Sequence, residues 1–190
     1  MARCVGVLAL QGAFREHMTA LARLGVAARE VRKLQDMDAV DALIIPGGES
    51  TTIGKLLIDG GMLDPLRKRI TAGMPVYGSC AGLILLCRNI EDSEQPRLGV
   101  LDATVRRNAF GRQVDSFETE LSMPVLGVEP VSAVFIRAPV LTSVGDNVTV
   151  LAQINGQAVA VRQDNVLATS FHPELTTDSR IHSYFLTFTV

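Results

Sequence analysis

The stretch Val76-Tyr77-Gly78-Ser79-Cys80-Ala81-Gly82-Leu83-Ile84-Leu85 sets the architecture of the whole chain. A short apolar run enters it, glycines stand two residues either side of Cys80, and a helix-like apolar segment leaves it. Strand, tight turn and helix with a nucleophile at the apex is the layout of a nucleophile elbow, here with Cys in place of Ser. The glycines suit such a turn, which presses backbone segments together and leaves no room for a Cβ. The elbow puts the Cys80 sulfur at the mouth of a sheet and at a helix N-terminus, where negative charge on sulfur is favoured. A lone cysteine is more often one more small core residue. The flanking glycines and a distant His172-Pro173-Glu174 reverse that judgement.

Upstream of the elbow, apolar runs alternate with helical periodicity. Residues 5–10 read as a buried strand, and Phe14, Met18, Leu21 and Leu24 share a helical face that Gly25 ends. Residues 26–31 and 42–45 read as further strands, the latter stopping at Pro46-Gly47-Gly48. Helices are expected over residues 51–59 and 65–72, and a strand over 75–77 feeds the elbow. Strands alternating with helices imply a parallel sheet covered on both faces, with its active edge at the carboxyl ends of the strands.

Downstream the pattern changes. Residues 88–97 are polar and read as a surface loop. Runs rich in β-branched residues follow at 101–106, 116–121 and 131–136. Residues 148–154 and 157–161 flank Asn155-Gly156, a strong hairpin signal. Residues 166–171 form another expected strand that ends at His172, and a last helix carries Ile181, Tyr184, Phe185 and Phe188 on one face. The reading is a single α/β domain over residues 1–190: a mostly parallel, flavodoxin-like central sheet flanked by helices, with an antiparallel extension.

Composition agrees with a globular domain that has a sizeable core: 190 residues, 47% apolar and 20% charged. A net charge of −2 gives no electrostatic reason to expect nucleic acid or an anionic membrane. Three cysteines without C-x-x-C spacing argue against a disulfide framework and a zinc site, so no metal is expected and a reducing cytoplasm is the simplest home. The apolar stretch near the N-terminus reads as a first strand rather than a secretory leader, and no run is long enough for a membrane span.

Three histidines compete for the role of base. His17 lies beside the apolar stripe of the first helix and reads as packing or surface; His182 falls off the stripe of the last helix and reads as solvated. His172 precedes a proline, which favours extended backbone, so His172 and Glu174 are expected to share a face. Glu174 can then hold the imidazole as Asp does in serine-protease triads. Pro46-Gly47-Gly48-Glu49-Ser50 follows a strand and opens a helix. Backbone N–H groups of Gly47 and Gly48, with that of Ala81, are candidate oxyanion donors. Gly54-Lys55 does not make a phosphate loop, because Glu49 stands where the first glycine belongs and Leu56 where Ser or Thr belongs. Cys4 and Cys87 read as core residues of a strand and of the elbow helix, the latter too far along to resolve a disulfide with Cys80.

Together these residues resemble the triad-type, class I glutamine amidotransferases. Leu8-Ala9-Leu10-Gln11-Gly12, Pro46 to Thr52, Arg107-Asn108-Ala109-Phe110-Gly111-Arg112-Gln113, Phe135 to Pro139 and Ser170 to Thr176 narrow the resemblance to the glutaminase subunit of pyridoxal 5′-phosphate synthase. It implies a Cys80–His172–Glu174 triad that hydrolyses L-glutamine and passes ammonia to a separate synthase subunit in a hetero-oligomer. It places glutamine on Gly47, Gly48, Glu49, Arg107, Ile136 and Arg137, and gives Gln11 a part in meeting and responding to the synthase. It implies no cofactor, since pyridoxal 5′-phosphate is the product of the complex. A silent regulatory subunit would have no use for the intact triad, and other cysteine hydrolases lack the strings around Gln11 and Arg112.

Overall fold

A computed structural model describes residues 4–109 and 116–189. Phe110, Gly111, Arg112 and Gln113 therefore lie outside the described residues. In chain order the elements are β1 (Val5–Leu8), α1 (Phe14–Arg23), β2 (Ala28–Val31), β3 (Ala42–Ile45), α2 (Ser50–Asp59), α3 (Leu63–Thr71), β4 (Val76–Ser79) and α4 (Ala81–Leu86). They continue with β5 (Cys87–Ile90), β6 (Leu101–Arg106), β7 (Ser116–Leu121), β8 (Val131–Ile136), β9 (Val140–Val144), β10 (Thr149–Ile154), β11 (Gln157–Gln163), β12 (Val166–Thr169) and α5 (Arg180–Leu186). The main sheet runs β2-β1-β3-β4-β12-β11-β9-β6-β5, with β10 paired to β11.

From β2 to β12 every pairing is parallel. Their order is the doubly wound one whose ligand crevice lies beyond the carboxyl ends of the strands. The strands are buried on both faces and so carry unbroken apolar runs. In β3 alternation sorts them: Leu43 and Ile45 pack with Ile53, Leu57 and Leu66 of α2 and α3, while Ala42 and Ile44 pack with Phe171, Ile181 and Phe185. From β12 through β11, β9 and β6 the pairings turn antiparallel, as expected of the extension. The separate β7–β8 pair lays Leu121, Val131, Ala133 and Phe135 onto the second of those two cores.

Asn155 and Gly156 both take positive φ, 51° and 75°, and join β10 to β11 in the expected tight hairpin. Several expected boundaries move. The elbow helix stops at Leu86, and Cys87 begins β5 instead of continuing the helix. The cause is a later segment: the Leu98 N–H donates to the Leu85 carbonyl at 2.7 Å, taking the place of the next helical turn. Residues 88–90, expected in a loop, therefore pair with β6. Strand β9, between Pro139 and Gly145, was not expected, since those two residues mark a loop when read locally. Strands β1 and β12 end two residues early, and the chain that follows each one builds the site.

Candidate active site

Five segments converge at the carboxyl ends of the parallel strands: residues 11–13 after β1, 46–49 after β3, 80 after β4, 170–174 after β12, and 136–137 at the end of β8. The pairing of Ser79 with Thr169 brings the elbow beside the His172 segment. The turn is as tight as its glycines imply. A Cβ on Gly78 would stand 2.6 Å from the Gly82 carbonyl carbon, and one on Gly82 would overlap the Ile45 carbonyl oxygen. Cys80 itself sits at φ 48°, ψ −99°, a conformation that costs a non-glycine residue about 1–3 kcal/mol. Its N–H donates to the Thr169 carbonyl at 2.8 Å, one of the bonds that hold the strained residue in place.

His172 and Cys80 face the same cavity, and the thiol acts on the ring. The His172 Nδ1–H donates to Glu174 Oε1 at 2.8 Å. The pairing does not arise from extended backbone as expected. His172 is at φ −111°, ψ 82°, and Pro173–Leu175 is a 3-10 turn that folds the carboxylate back under the ring. The His172 N–H donates to the Val134 carbonyl at 2.8 Å, which ties the base to β8. Burial works against charge on His172, but hydrogen bonds to Cys80 and Glu174, with their charges, outweigh it and raise its pKa to about 10. Burial likewise opposes ionisation of Glu174, yet its pKa is lowered, because His17 and His172 face the carboxylate.

Gly47 must be glycine: a Cβ there would overlap His172 Cε1. Its N–H is committed, donating to Ser79 Oγ at 3.1 Å, so of the three expected oxyanion donors Gly47 is occupied in this state. The Gly47 carbonyl accepts from the Ala13 N–H at 2.9 Å. Gln11 stands close to Gly48, and its Oε1 accepts from the Glu49 N–H at 2.8 Å. The 11–13 segment is thus bonded directly to the glycine pair.

A cavity of about 290 Å³ opens in front of Cys80 and His172, lined by Gln11, Gly48, Glu49, Arg107, Ile136 and Arg137. The structure thus gathers the expected substrate residues around the nucleophile. Glu49 has a second task, capping α2 through Oε2, which accepts from the Thr52 N–H at 2.9 Å. Burial opposes its charge, but that bond and Arg107 hold its pKa down. The Arg107 guanidinium lies 3.7 Å from Glu49 Oε1 and donates to Gln95 Oε1 at 2.8 Å. Sequence reading missed Ser50 and Ile84 on this cavity, and Gln95 as the acceptor that Arg107 engages. It also missed the positive φ of Asn108 and Arg137, 49° and 42°, which bend the chain around it. A larger hollow of about 540 Å³ between Ile58, Arg67, Arg88 and Pro96 has no nucleophile on its walls.

One expectation about the histidines changes. His182, expected in solvent, is wholly buried, and so is His17. They are bonded to one another and, through Ser79, to Glu174. Period alone hid this, because His182 packs beside the buried Ile181 and Phe185, against His17 and Tyr77. Cys4, Cys80 and Cys87 are all free thiols, and burial pushes the Cys87 pKa up.

The SNO glutamine amidotransferase family model matches residues 7–190. The chain belongs to that family. The curated "Pyridoxal 5′-phosphate synthase subunit PdxT" of Carboxydothermus hydrogenoformans is 58% identical over 182 residues, covering 96% of this chain and 95% of its own. A solved "glutamine amidotransferase" superposes with a TM-score of 0.93 at 56% identity, covering 97% of this chain and 98% of its own. A putative GMP synthase component from Thermoplasma acidophilum, 18% identical, shares the fold with a TM-score of 0.70 over 100% of this chain and 94% of its own. The resemblance read from the sequence, to the glutaminase subunit of pyridoxal 5′-phosphate synthase, is borne out by this membership and by these relatives. The chain is a glutamine amidotransferase.

Proposed function

We propose that this protein hydrolyses L-glutamine through Cys80, His172 and Glu174 and delivers the ammonia to a pyridoxal 5′-phosphate synthase subunit in a hetero-oligomer. The observation that carries the chemistry is the strained Cys80 sharing a cavity wall with a His172 whose Nδ1 is held by a buried carboxylate.

The steps follow from the geometry. Cys80 sulfur attacks the side-chain amide carbon of glutamine, and the thiol proton goes to His172. The raised His172 pKa favours the ring taking the thiol proton, which it then hands to the departing nitrogen as the C–N bond breaks. Ammonia leaves a γ-glutamyl thioester on Cys80. Water then attacks that carbonyl, His172 takes its proton and returns one to sulfur, and glutamate departs. Gly48 and Ala81 N–H groups are the proposed oxyanion donors. Gly47 joins them only if its bond to Ser79 is exchanged, and Gln11, bonded to the neighbouring peptide, is the group through which a docked synthase would act. Arg107 and Arg137 suit the α-carboxylate, and Glu49 the α-ammonium. The side chains supply all of this chemistry, so we propose no cofactor. The three free thiols support a reducing cytoplasm as the compartment. Among the described residues no helix is long and apolar enough to cross a membrane.

The test is glutaminase turnover with and without the synthase subunit. Turnover that rises on adding the synthase and vanishes in Cys80→Ala supports the reading. Unstimulated turnover counts against the partner, and substantial turnover in Cys80→Ala counts against the triad.

A further inference from the structure

Behind the triad, on the side away from the cavity, lies a polar cluster that none of the proposed steps uses. His17 on α1 and His182 on α5 are fully buried. His17 Nδ1 lies 2.9 Å from His182 Nε2, and His17 Nε2 lies 3.0 Å from Ser79 Oγ and 3.5 Å from Glu174 Oε2. Ser79 Oγ–H donates to Glu174 Oε1 at 3.3 Å and accepts the Gly47 N–H. Tyr77 packs edge-on against both imidazoles, and His172 and Glu16 act on His17 through their charge.

Hydrogen-bond accounting fixes the protons. An ionised Glu174 only accepts, and the Ser79 hydroxyl has one proton, which serves the carboxylate. His17 must then be the donor at Nε2, to Ser79 Oγ with the same N–H facing an otherwise unpartnered Glu174 Oε2, and an acceptor at Nδ1, from His182 Nε2–H. This leaves His182 Nδ1 as a buried acceptor without a partner. The opposite arrangement would strand a buried N–H donor at the same atom and take the Ser79 proton from the carboxylate, and orphaned buried donors are the rarer and costlier case.

We propose that His17 is a positioning residue for the triad: as a neutral imidazole with its proton on Nε2, it steadies Glu174 and Ser79 from behind, and His182 sets that tautomer. The proposal rests on the triad reading above. Neutrality matters because a cation at this place would compete with His172 for the carboxylate, whereas a neutral N–H orients it and leaves its charge to the base. Burial keeps both rings in this form. It lowers the His17 pKa despite the pull of Glu174, and it takes that of His182 down to about 3. The cluster is not a metal centre, since no group of three His, Cys, Asp or Glu among the described residues could hold an ion.

The experiment measures kcat and KM for glutamine across pH in the presence of the synthase, for wild type, His17→Leu, His17→Gln and His182→Leu. His17→Leu lowers kcat on the order of 10–100-fold, the scale on which partners that orient a functional imidazole act, while KM stays within about twofold. The alkaline limb of its kcat profile moves up, because a carboxylate that no longer faces the His17 N–H grips the His172 proton more tightly. His17→Gln, with an amide N–H near the Nε2 position, restores kcat to within about threefold of wild type. His182→Leu lowers kcat by a smaller factor of about 3–10, as His17 Nδ1 loses the donor that sets its tautomer. A His17→Leu kcat within twofold of wild type, an unmoved or lowered alkaline limb, or a Gln variant as slow as the Leu variant overturns the proposal. If His17→Leu does not fold, the Gln and His182→Leu variants decide, and wild-type kcat in His182→Leu refutes control of the tautomer. Wild type that does not hydrolyse glutamine through Cys80 refutes the triad itself, a separate outcome.

Discussion

His172 separates two polar regions that are built in opposite ways. In front, the Glu49 and Arg107 side chains are 51% and 34% exposed and carried on connections. Behind, His17 and Glu174 are wholly buried at the side chain and packed between α1, α5 and the end of β4. The front groups face a cavity and can adjust to a ligand. The rear groups share few protons, and moving one changes what its neighbours donate or accept. Recognition is therefore adaptable and the acid–base machinery rigid, so variants on the two sides should separate into KM effects and kcat effects.

The largest predicted effect breaks the boundary itself. His172→Ala should lower kcat by about 10⁴–10⁶, as loss of the base does in nucleophilic triads, in a steady-state ammonia assay. Next comes Gly47→Ala, whose Cβ would overlap the His172 ring and displace it. A kcat loss of about 10²-fold with folding retained by circular dichroism is expected, the cost of a misplacement near 1 Å. On the open side, Arg107→Ala should raise KM about 10–100-fold, the worth of one charge-assisted hydrogen bond, with kcat changed far less. A kcat loss from Arg107→Ala larger than its KM rise would erase the distinction between the two regions.

The last prediction concerns stability. His182 has a folded pKa of about 3 against an ordinary 6.5, so the unfolded chain binds protons that the folded chain refuses. Its contribution is fully present above pH 6.5 and is lost as pH falls below that. His172, raised to about 10, has the opposite sign: its contribution is full below 6.5 and is lost as pH climbs toward 10. Urea midpoints should therefore decline on both sides of neutrality. The acid decline should begin near 6.5, above the carboxylate range, and should flatten in His182→Leu.

Much of the front region was legible in the sequence, because its signals are local. Gly78 and Gly82 flank Cys80 at a spacing that only a tight turn explains, and Gly47 and Gly48 stand where a strand ends. The rear region was not legible. His17 and His182 come from the two ends of the chain and meet only when α1 and α5 pack on the same sheet face, a long-range fact that no helical period encodes. His182 looked solvated because it falls off an apolar stripe, and burial of polar partners defeats that rule. The same limit explains Cys87, whose helix is ended by Leu98 from a distant loop. The β-branched enrichment that predicted the strands Leu101–Arg106, Ser116–Leu121 and Val131–Ile136 is local again, and there the bounds agree with the structure.

One measurement bears most directly on the claim that a single strained thiol does the chemistry. The protein, with its synthase partner present, is incubated with a glutamine-like electrophile and its adducts are located by peptide mass spectrometry. The account predicts one adduct, on Cys80, formed in step with loss of glutaminase activity and suppressed by excess glutamine, with Cys4 and Cys87 untouched. Loss of activity with the adduct on Cys4 or Cys87, or full modification of Cys80 with turnover intact, would contradict it.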